Sequence, residues 1–319
     1  MFRRLATLAT AATLSLTGLA APAEAATTAC RPIPGSPRCQ LWTGTVDWAP
    51  DGDTLRVDLA GDGTRKLVSV RILGMQAMEQ SRYSPRPERR KGDCHALAAT
   101  ARLEKILKAG GNKVRLTSLK ASSKNGNRPL RSVAVKIDGV WQDVGEQMIR
   151  GGYALWLPFP GEWAWDDAYH LAAGQAAAER RELYDTDSCG TGPAQDSGIT
   201  LTVNPDPDGA DDTNLNGEWF LVHNPSAAAV PIAGWWVRDS GLRRYTFPAG
   251  TVVPAGGDVY VHVGKGKETA THKYWGLTKP IFSNTDPDQH SVGDGGYLFD
   301  KQGDLRAWMI YPCAVGCDG

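Results

Sequence analysis

"VSVRILGMQAMEQ", residues 68–80, decides how the first half of this chain is read. Val68, Val70 and Ile72 alternate with Ser69, Arg71 and Leu73, the period of two that marks a β-strand. Arg71 interrupts an apolar run. A guanidinium at such a position either reaches solvent along its stem or meets an anion, and Glu79 supplies a carboxylate just beyond the strand.

Working outward, strands are predicted over 42–48, 54–59, 66–73, 113–118 and 132–137, and helices over 95–107, 144–150 and 166–183. Leu97, Ala101, Leu103, Ile106 and Leu107 give the first helix an apolar face, and Gly110-Gly111 stops it. Asp143 is placed to cap the second, which Gly151-Gly152 ends. Three strands, a helix, two strands and closing helices suit a five-stranded OB-fold barrel with helices, an α+β domain. Upstream of the opening stretch, "DGDT" at 51–54 sets Asp51 and Asp53 around a glycine. Alone this is an Asx-type turn or part of an oxygen-ligand cation site.

Charge is sorted along the chain although its total is zero. Residues 81–136 hold fifteen Lys or Arg against three acids. Such a face suits a polyanion such as nucleic acid, or is simply solvated.

In order and spacing these pieces resemble the staphylococcal nuclease-like, or thermonuclease, domain over residues 40–190. The resemblance rests on "DGDT", on "VRILGMQAME" at 70–79, on "NRPLRSVAVKIDG" at 127–139, on "GGYALW" at 151–156 and on the Ala-rich helix ending "RELYD". It implies an OB-fold nuclease that cleaves DNA and RNA phosphodiesters with calcium. Carried over residue by residue, it implies Asp53 as a calcium ligand with Asp51 supporting it, Arg71 and Arg128 as phosphate-binding arginines, and Glu79 as general base. Such a set neutralises the charge gathered in a phosphoryl transition state and deprotonates the attacking water.

Two positions depart from the family pattern. Gln76 stands where a second metal-binding aspartate is expected, offering at most a neutral carbonyl oxygen, and Met78 stands where proline precedes the glutamate. Asn127 replaces a glycine, and Arg131 is a rival to Arg128. Arg131, Lys120 and Lys124 are further candidate nucleic-acid contacts. His95 is either another phosphate contact or a first-turn residue beside a disulfide.

At the start, Arg3 and Arg4, an apolar stretch and Ala23-Glu24-Ala25 read as a secretory signal peptide over 1–25. The apolar stretch is shorter than the roughly 20 residues a membrane span needs. The residues before Cys30 lack the large aliphatic side chain of a lipoprotein signal. The mature protein is expected to be secreted, monomeric and without a membrane span. Six cysteines in an oxidising compartment suggest three disulfides. Local pairing joins Cys30 with Cys39 and Cys313 with Cys317, leaving Cys94 for Cys189, although six cysteines allow fifteen connectivities and Cys313 with Cys317 also has a zinc reading.

"TDSCGTGPAQDSG", residues 186–198, is rich in Gly, Ser, Asp and Pro and reads as a linker, placed at 191–197 between the domains. Beyond it, residues 198–317 alternate short strands with Gly/Pro turns, as in an antiparallel sandwich. "NGEWFLVHN", "IAGWWVRD" and "YTFPAGTVVPAG" resemble the lamin-tail domain, an immunoglobulin-like sandwich, over about 198–312. The resemblance implies an accessory module for nucleic acid or a cell-surface component. Trp235, Trp236 and Trp275 are either stacking platforms or core, and Asp206, Asp208, Asp211 and Asp212 are either a cation loop or solvated.

The expectation is therefore a secreted metal-dependent nuclease with little sequence preference. The competing expectations are a nucleic-acid-binding barrel that has lost catalysis, favoured by Gln76, and an adhesion protein led by the sandwich.

Overall fold

A computed structural model describes residues 26–192, 195 and 197–315. The expected signal peptide and the pairing of Cys313 with Cys317 lie outside those residues.

The opening stretch forms β3 (Val68–Ile72), the middle of a closed barrel. Its partners are β1 (Arg38–Trp48), β2 (Thr54–Leu59), β4 (Lys113–Ser118) and β5 (Arg128–Ile137). β1 pairs antiparallel with β2 and β2 with β3, β3 runs parallel to β5, β5 pairs back onto β4, and β4 onto β1. Five strands thus close with no free edge, the topology of an OB-like barrel. Val70 and Ile72 enter its core beside Leu55, Val57, Leu116 and Val133. The neighbours of β3 on both sides are what surround Arg71: Thr54 lies opposite it in β2 and Leu130 in β5.

Three helices support the barrel: α1 (Ala96–Ala109), α2 (Val144–Arg150) and α3 (Asp166–Ala178). The Asp143 side chain caps α2 by accepting from the Glu146 amide, as its position suggested. The buried face of α1 is Ala96, Ala99, Thr100, Leu103, Ile106 and Leu107. Leu97, expected in that face, is 49% exposed. The helix begins one residue later than predicted, because His95 has φ 68° and cannot continue it. α3 stops at Ala178, short of the predicted 183, and Arg180 and Glu182 are left-handed at φ 49° and 44°. β5 starts at Arg128, four positions before the prediction, because a short hairpin pairs Arg128 with Asn125 and Pro129 with Lys124.

Gly74 (φ 74°) turns the chain out of β3. A Cβ there would lie 2.5 Å from the Tyr169 ring, so the turn that carries Gln76 and Glu79 needs glycine at this point.

The second domain is all β. One sheet is β6 (Thr200–Asn204), β7 (Trp219–His223), β10 (Asp258–His262) and β11 (His272–Tyr274); the other is β9 (Tyr245–Thr246), β8 (Trp236–Arg238), β12 (Asp294–Phe299) and β13 (Leu305–Tyr311). Its pairs are antiparallel as expected except β10 with β11, which is parallel. Trp235 lies in the core between the sheets and Trp275 packs against it, so neither is a free stacking platform.

The two domains share a core of their own. Met78, Ala96, Leu155, Ala176, Leu183 and Tyr184 of the first pack with Trp236, Tyr297, Phe299 and Leu305 of the second. Trp236 stacks on Phe299 at 4.1 Å, which fixes it in this junction. The chain expected to link the domains is tied down there: Ser188 and Cys189 amides both donate to Asp304 Oδ1 at 2.8 Å. Disulfides join Cys30 to Cys39 and Cys94 to Cys189, the pairs expected. Among the described residues no helix is long and apolar enough to cross a membrane.

Candidate active site

Arg71 finds its anion in Asp53. Arg71 Nη1 forms an ion pair with Asp53 Oδ1, both side chains being 4% exposed, and also donates to the Asp53 carbonyl at 3.2 Å. Glu79, suggested by the sequence as a partner, is reached only through Gln76. The second nitrogen of Arg71 donates to Gln76 Oε1 at 2.6 Å and to the Met75 carbonyl at 2.9 Å. Burial pushes the Arg71 guanidinium down to about 10, against the pull of Asp51 and Glu79, so it remains charged at neutral pH.

Gln76 is buried at the centre of the site. Its Nε2 donates to Asp53 Oδ2 at 3.2 Å, to Glu79 Oε1 at 3.0 Å and to the Ala77 carbonyl at 3.0 Å. The amide has one sensible orientation here, since turning it over would set an oxygen against three acceptors and a nitrogen against a guanidinium. The Asp53 carboxylate is further held by the Ala77 amide at 3.1 Å and the Thr54 hydroxyl at 3.1 Å.

Asp51 is the turn's keystone. Its Oδ1 accepts from the Asp53 amide at 3.1 Å, the Asx-type turn read from the sequence. Burial raises its carboxyl above the usual range, opposed by Thr54 and the two arginines. Gly52 lets that turn lie against α1, for a Cβ would come within 2.8 Å of Ala77 and Ala99 methyls.

Arg128 and Arg131 separate cleanly. Three positions apart in one strand, they point to opposite faces. Arg128, partly exposed, donates to Thr54 Oγ1 at 3.0 Å and Asn125 Oδ1 at 3.1 Å, and so joins the Asp53 network. Arg131 is buried; it donates to the carbonyls of Ala121, Ser123 and Leu130 at 2.8, 2.9 and 2.7 Å and lies 4.1 Å over Trp42. Its charge is committed to holding the β4–β5 loop rather than to a ligand. Glu162, which sequence reasoning passed over, fixes the same loop by accepting from the Leu119 and Lys120 amides at 2.6 and 3.0 Å. Lys120 and Lys124 are exposed on that loop.

Tyr83 was also missed. Its hydroxyl donates to Glu79 Oε2 at 2.7 Å, and burial together with Glu79 raises the phenol, which therefore stays a donor. The signal was faint: a tyrosine four residues past the glutamate in a loop whose shape the sequence does not give.

A hard divalent cation takes six to eight oxygens. In this arrangement the residues do not fit one. Asp53 is engaged by Arg71, Gln76 and Ala77, and Gln76 turns amide hydrogens toward both carboxylates. Among the described residues the acids of this site form no cluster of three whose ligand oxygens all lie within 4.8 Å of one another. Cys94, His95 and Cys189 are close, but both sulfurs are in the disulfide. His95 Nε2 sits 3.3 Å from Cys189 Sγ, so its place is beside the disulfide. In the acidic loop, Asp206 and Asp211 accept from Asn284 Nδ2 at 3.2 and 2.9 Å, and among the described residues its acids form no cluster of three.

A recess of about 470 Å³ lies elsewhere, between the Cys30 loop, β5 and α2, with Arg115 and Trp141 in its wall. Its acids are engaged within the fold, Asp143 in capping α2 and Glu146 in an ion pair with Arg150, and a polyanion laid across a surface needs no enclosed pocket.

Residues 194–312 match the family model described as Lamin Tail Domain. The sandwich is thus similar to lamin-tail domains, and is called the lamin-tail domain below. It begins within a few residues of the expected position, and the match does not extend to the barrel. No curated protein matches the chain. The lamin-tail domain shares a buried junction with the barrel, beside the segment that carries Glu79.

Proposed function

We propose that the barrel is a nuclease that hydrolyses phosphodiesters of DNA, and of RNA, with little sequence preference. One observation carries the reading: Arg71, Arg128 and Glu79, from separate parts of the chain, meet in one hydrogen-bonded network through Asp53, Thr54 and Gln76. The exposed lysines of the β4–β5 loop and the basic segment after Glu79 supply the electrostatic attraction a polyanion needs.

In the proposed reaction Glu79 takes a proton from water as the oxygen attacks phosphorus, the bond from phosphorus to the leaving oxygen breaks, and that oxygen takes a proton from solvent to leave as an alcohol. Arg128 and Arg71 offset the charge gathered on the phosphoryl oxygens. For Arg71 to do so, it exchanges Asp53 or Gln76 for a phosphate oxygen. The calcium ion implied by the family resemblance enters no step here. The disulfides suit an extracellular site of action.

A second reading, binding without cleavage, is favoured by the saturation of Arg71 and by the Gln76 amide that closes the site. Incubating the purified protein with plasmid and with single-stranded RNA, in calcium and in chelator, beside Glu79→Gln, separates the two. Intact substrate under every condition rejects the nuclease and leaves the binding protein.

A further inference from the structure

The lamin-tail domain is acidic overall, with nine Lys or Arg against thirteen Asp or Glu between residues 198 and 312. Three of those nine cations, Arg238, Arg243 and Arg244, fall within seven consecutive positions. Two of them, Arg238 and Arg244, reach the barrel beside Glu79. Arg238 is buried; its Nη1 lies 3.9 Å from Met78 Sδ, the residue before Glu79, while its other donors reach the Asp239 and Ser240 carbonyls at 3.1 Å. Arg244 Nη1 lies 3.9 Å from Asp93 Oδ1, and the Asp93 amide donates to the Glu79 carbonyl at 2.9 Å.

The tip of this loop is turned outward. Asp239 Oδ1 accepts from the Gly241 amide at 2.9 Å and closes a tight turn, beyond which Leu242, Arg243 and Arg244 are exposed. Arg244 is braced 4.7 Å over the Trp236 ring, which is itself fixed in the junction, so its guanidinium is held without being buried. On the barrel side, Gln80 pairs with Gly92 at the base of a segment that exposes Arg82, Arg86, Arg89 and Lys91. Asp93, at the foot of that segment, is where Arg244 attaches. The loop and the basic segment therefore meet at Asp93, across the domain boundary.

We propose that the loop 239–244 of the lamin-tail domain is the second wall of the nucleic-acid track, with Arg243 and Arg244 contacting backbone phosphates on one side of the phosphodiester held at Glu79. The proposal rests on the nuclease reading for the position of that phosphodiester. The second domain is then part of the substrate site rather than a separate binding module. Outside this stretch the domain is net acidic, with six Lys or Arg against twelve Asp or Glu, which disfavours a polyanion away from the junction.

The test is binding of a fluorescent DNA duplex at several salt concentrations, on the full secreted chain carrying Glu79→Gln so that substrate survives. Adding Arg243→Ala and Arg244→Ala is expected to weaken binding about tenfold near physiological salt and to lower the slope of log K against log salt by about 1.8, for two phosphate contacts. Arg243→Lys with Arg244→Lys restores most of the slope, which a purely structural role in the junction would not. In the cleaving protein the alanine pair raises KM and leaves kcat within about twofold. Unchanged affinity and slope in a protein that cleaves DNA overturns the proposal. A chain that binds with this arginine-dependent slope yet never cleaves sustains the track and rejects the nuclease reading alone.

Discussion

Gln76 donates to Glu79: the amide Nε2 stands 3.0 Å from Oε1 of the carboxylate. The same nitrogen donates to Asp53, so a neutral amide occupies the place between two acids where a cation would otherwise be the natural filler. Gln76→Asp is expected to replace this donor with a third carboxylate and to destabilise the calcium-free protein by repulsion. Calcium then restores stability, by about 2.7 kcal/mol at a hundredfold its dissociation constant, while the parent protein gains far less. Thermal unfolding of both proteins in calcium and in chelator measures this. Equal calcium responses would show that Gln76 does not control cation binding.

Glu79→Gln keeps the size and one acceptor of the side chain but removes the base. Cleavage of plasmid is expected to fall by at least about a hundredfold with affinity for DNA nearly unchanged. Undiminished cleavage by this variant would remove Glu79 from the mechanism.

The Arg71–Asp53 pair is buried on both sides, so removing one partner strands the other charge. Arg71→Ala is expected to cost about 3 kcal/mol in urea unfolding. Arg128→Ala, at a partly exposed position, is expected to cost under about 1 kcal/mol while weakening DNA binding. Equal stability losses in the two variants would mean that the ion pair contributes nothing particular to the fold.

Burial first, and then Asp239, pushes the Asp294 carboxyl up from its ordinary 3.8 to about 8. Between those values the folded protein holds a proton that the unfolded chain releases. The stability that this group contributes is therefore full below about pH 4 and is lost as pH rises toward 8, with a slope of up to about 1.4 kcal/mol per unit. Asp294→Asn cannot ionise and is expected to flatten that slope. A denaturation series from pH 4 to 8 reads the difference, and parallel slopes would contradict the assignment.

Much of the architecture was legible in local pattern. The period of two in residues 68–73 marked β3, and the ranges 54–59, 113–118 and 144–150 were predicted as they occur. These features depend on neighbours close in sequence. The face of α1 was misjudged because Leu97 and Ala101 are apolar without being inward. The packing of the helix, not the hydrophobicity of one residue, chose Ala96, Ala99 and Leu103.

By itself the sequence determined the barrel's strands, the existence of a second β domain, and the set of charged residues from which a site could be built. Its reason is periodicity: alternation and helical spacing are written in consecutive residues. Tertiary structure decided which charges meet. Register across β2, β3 and β5 set Arg71 opposite Thr54 and Leu130, which gave it Asp53 as partner. Strand parity sent Arg128 to the site and Arg131 to the loop, and docking of the lamin-tail domain brought Arg238 against Met78 from 160 positions away. Such contacts join residues far apart along the chain, so their geometry exists only once both domains have packed.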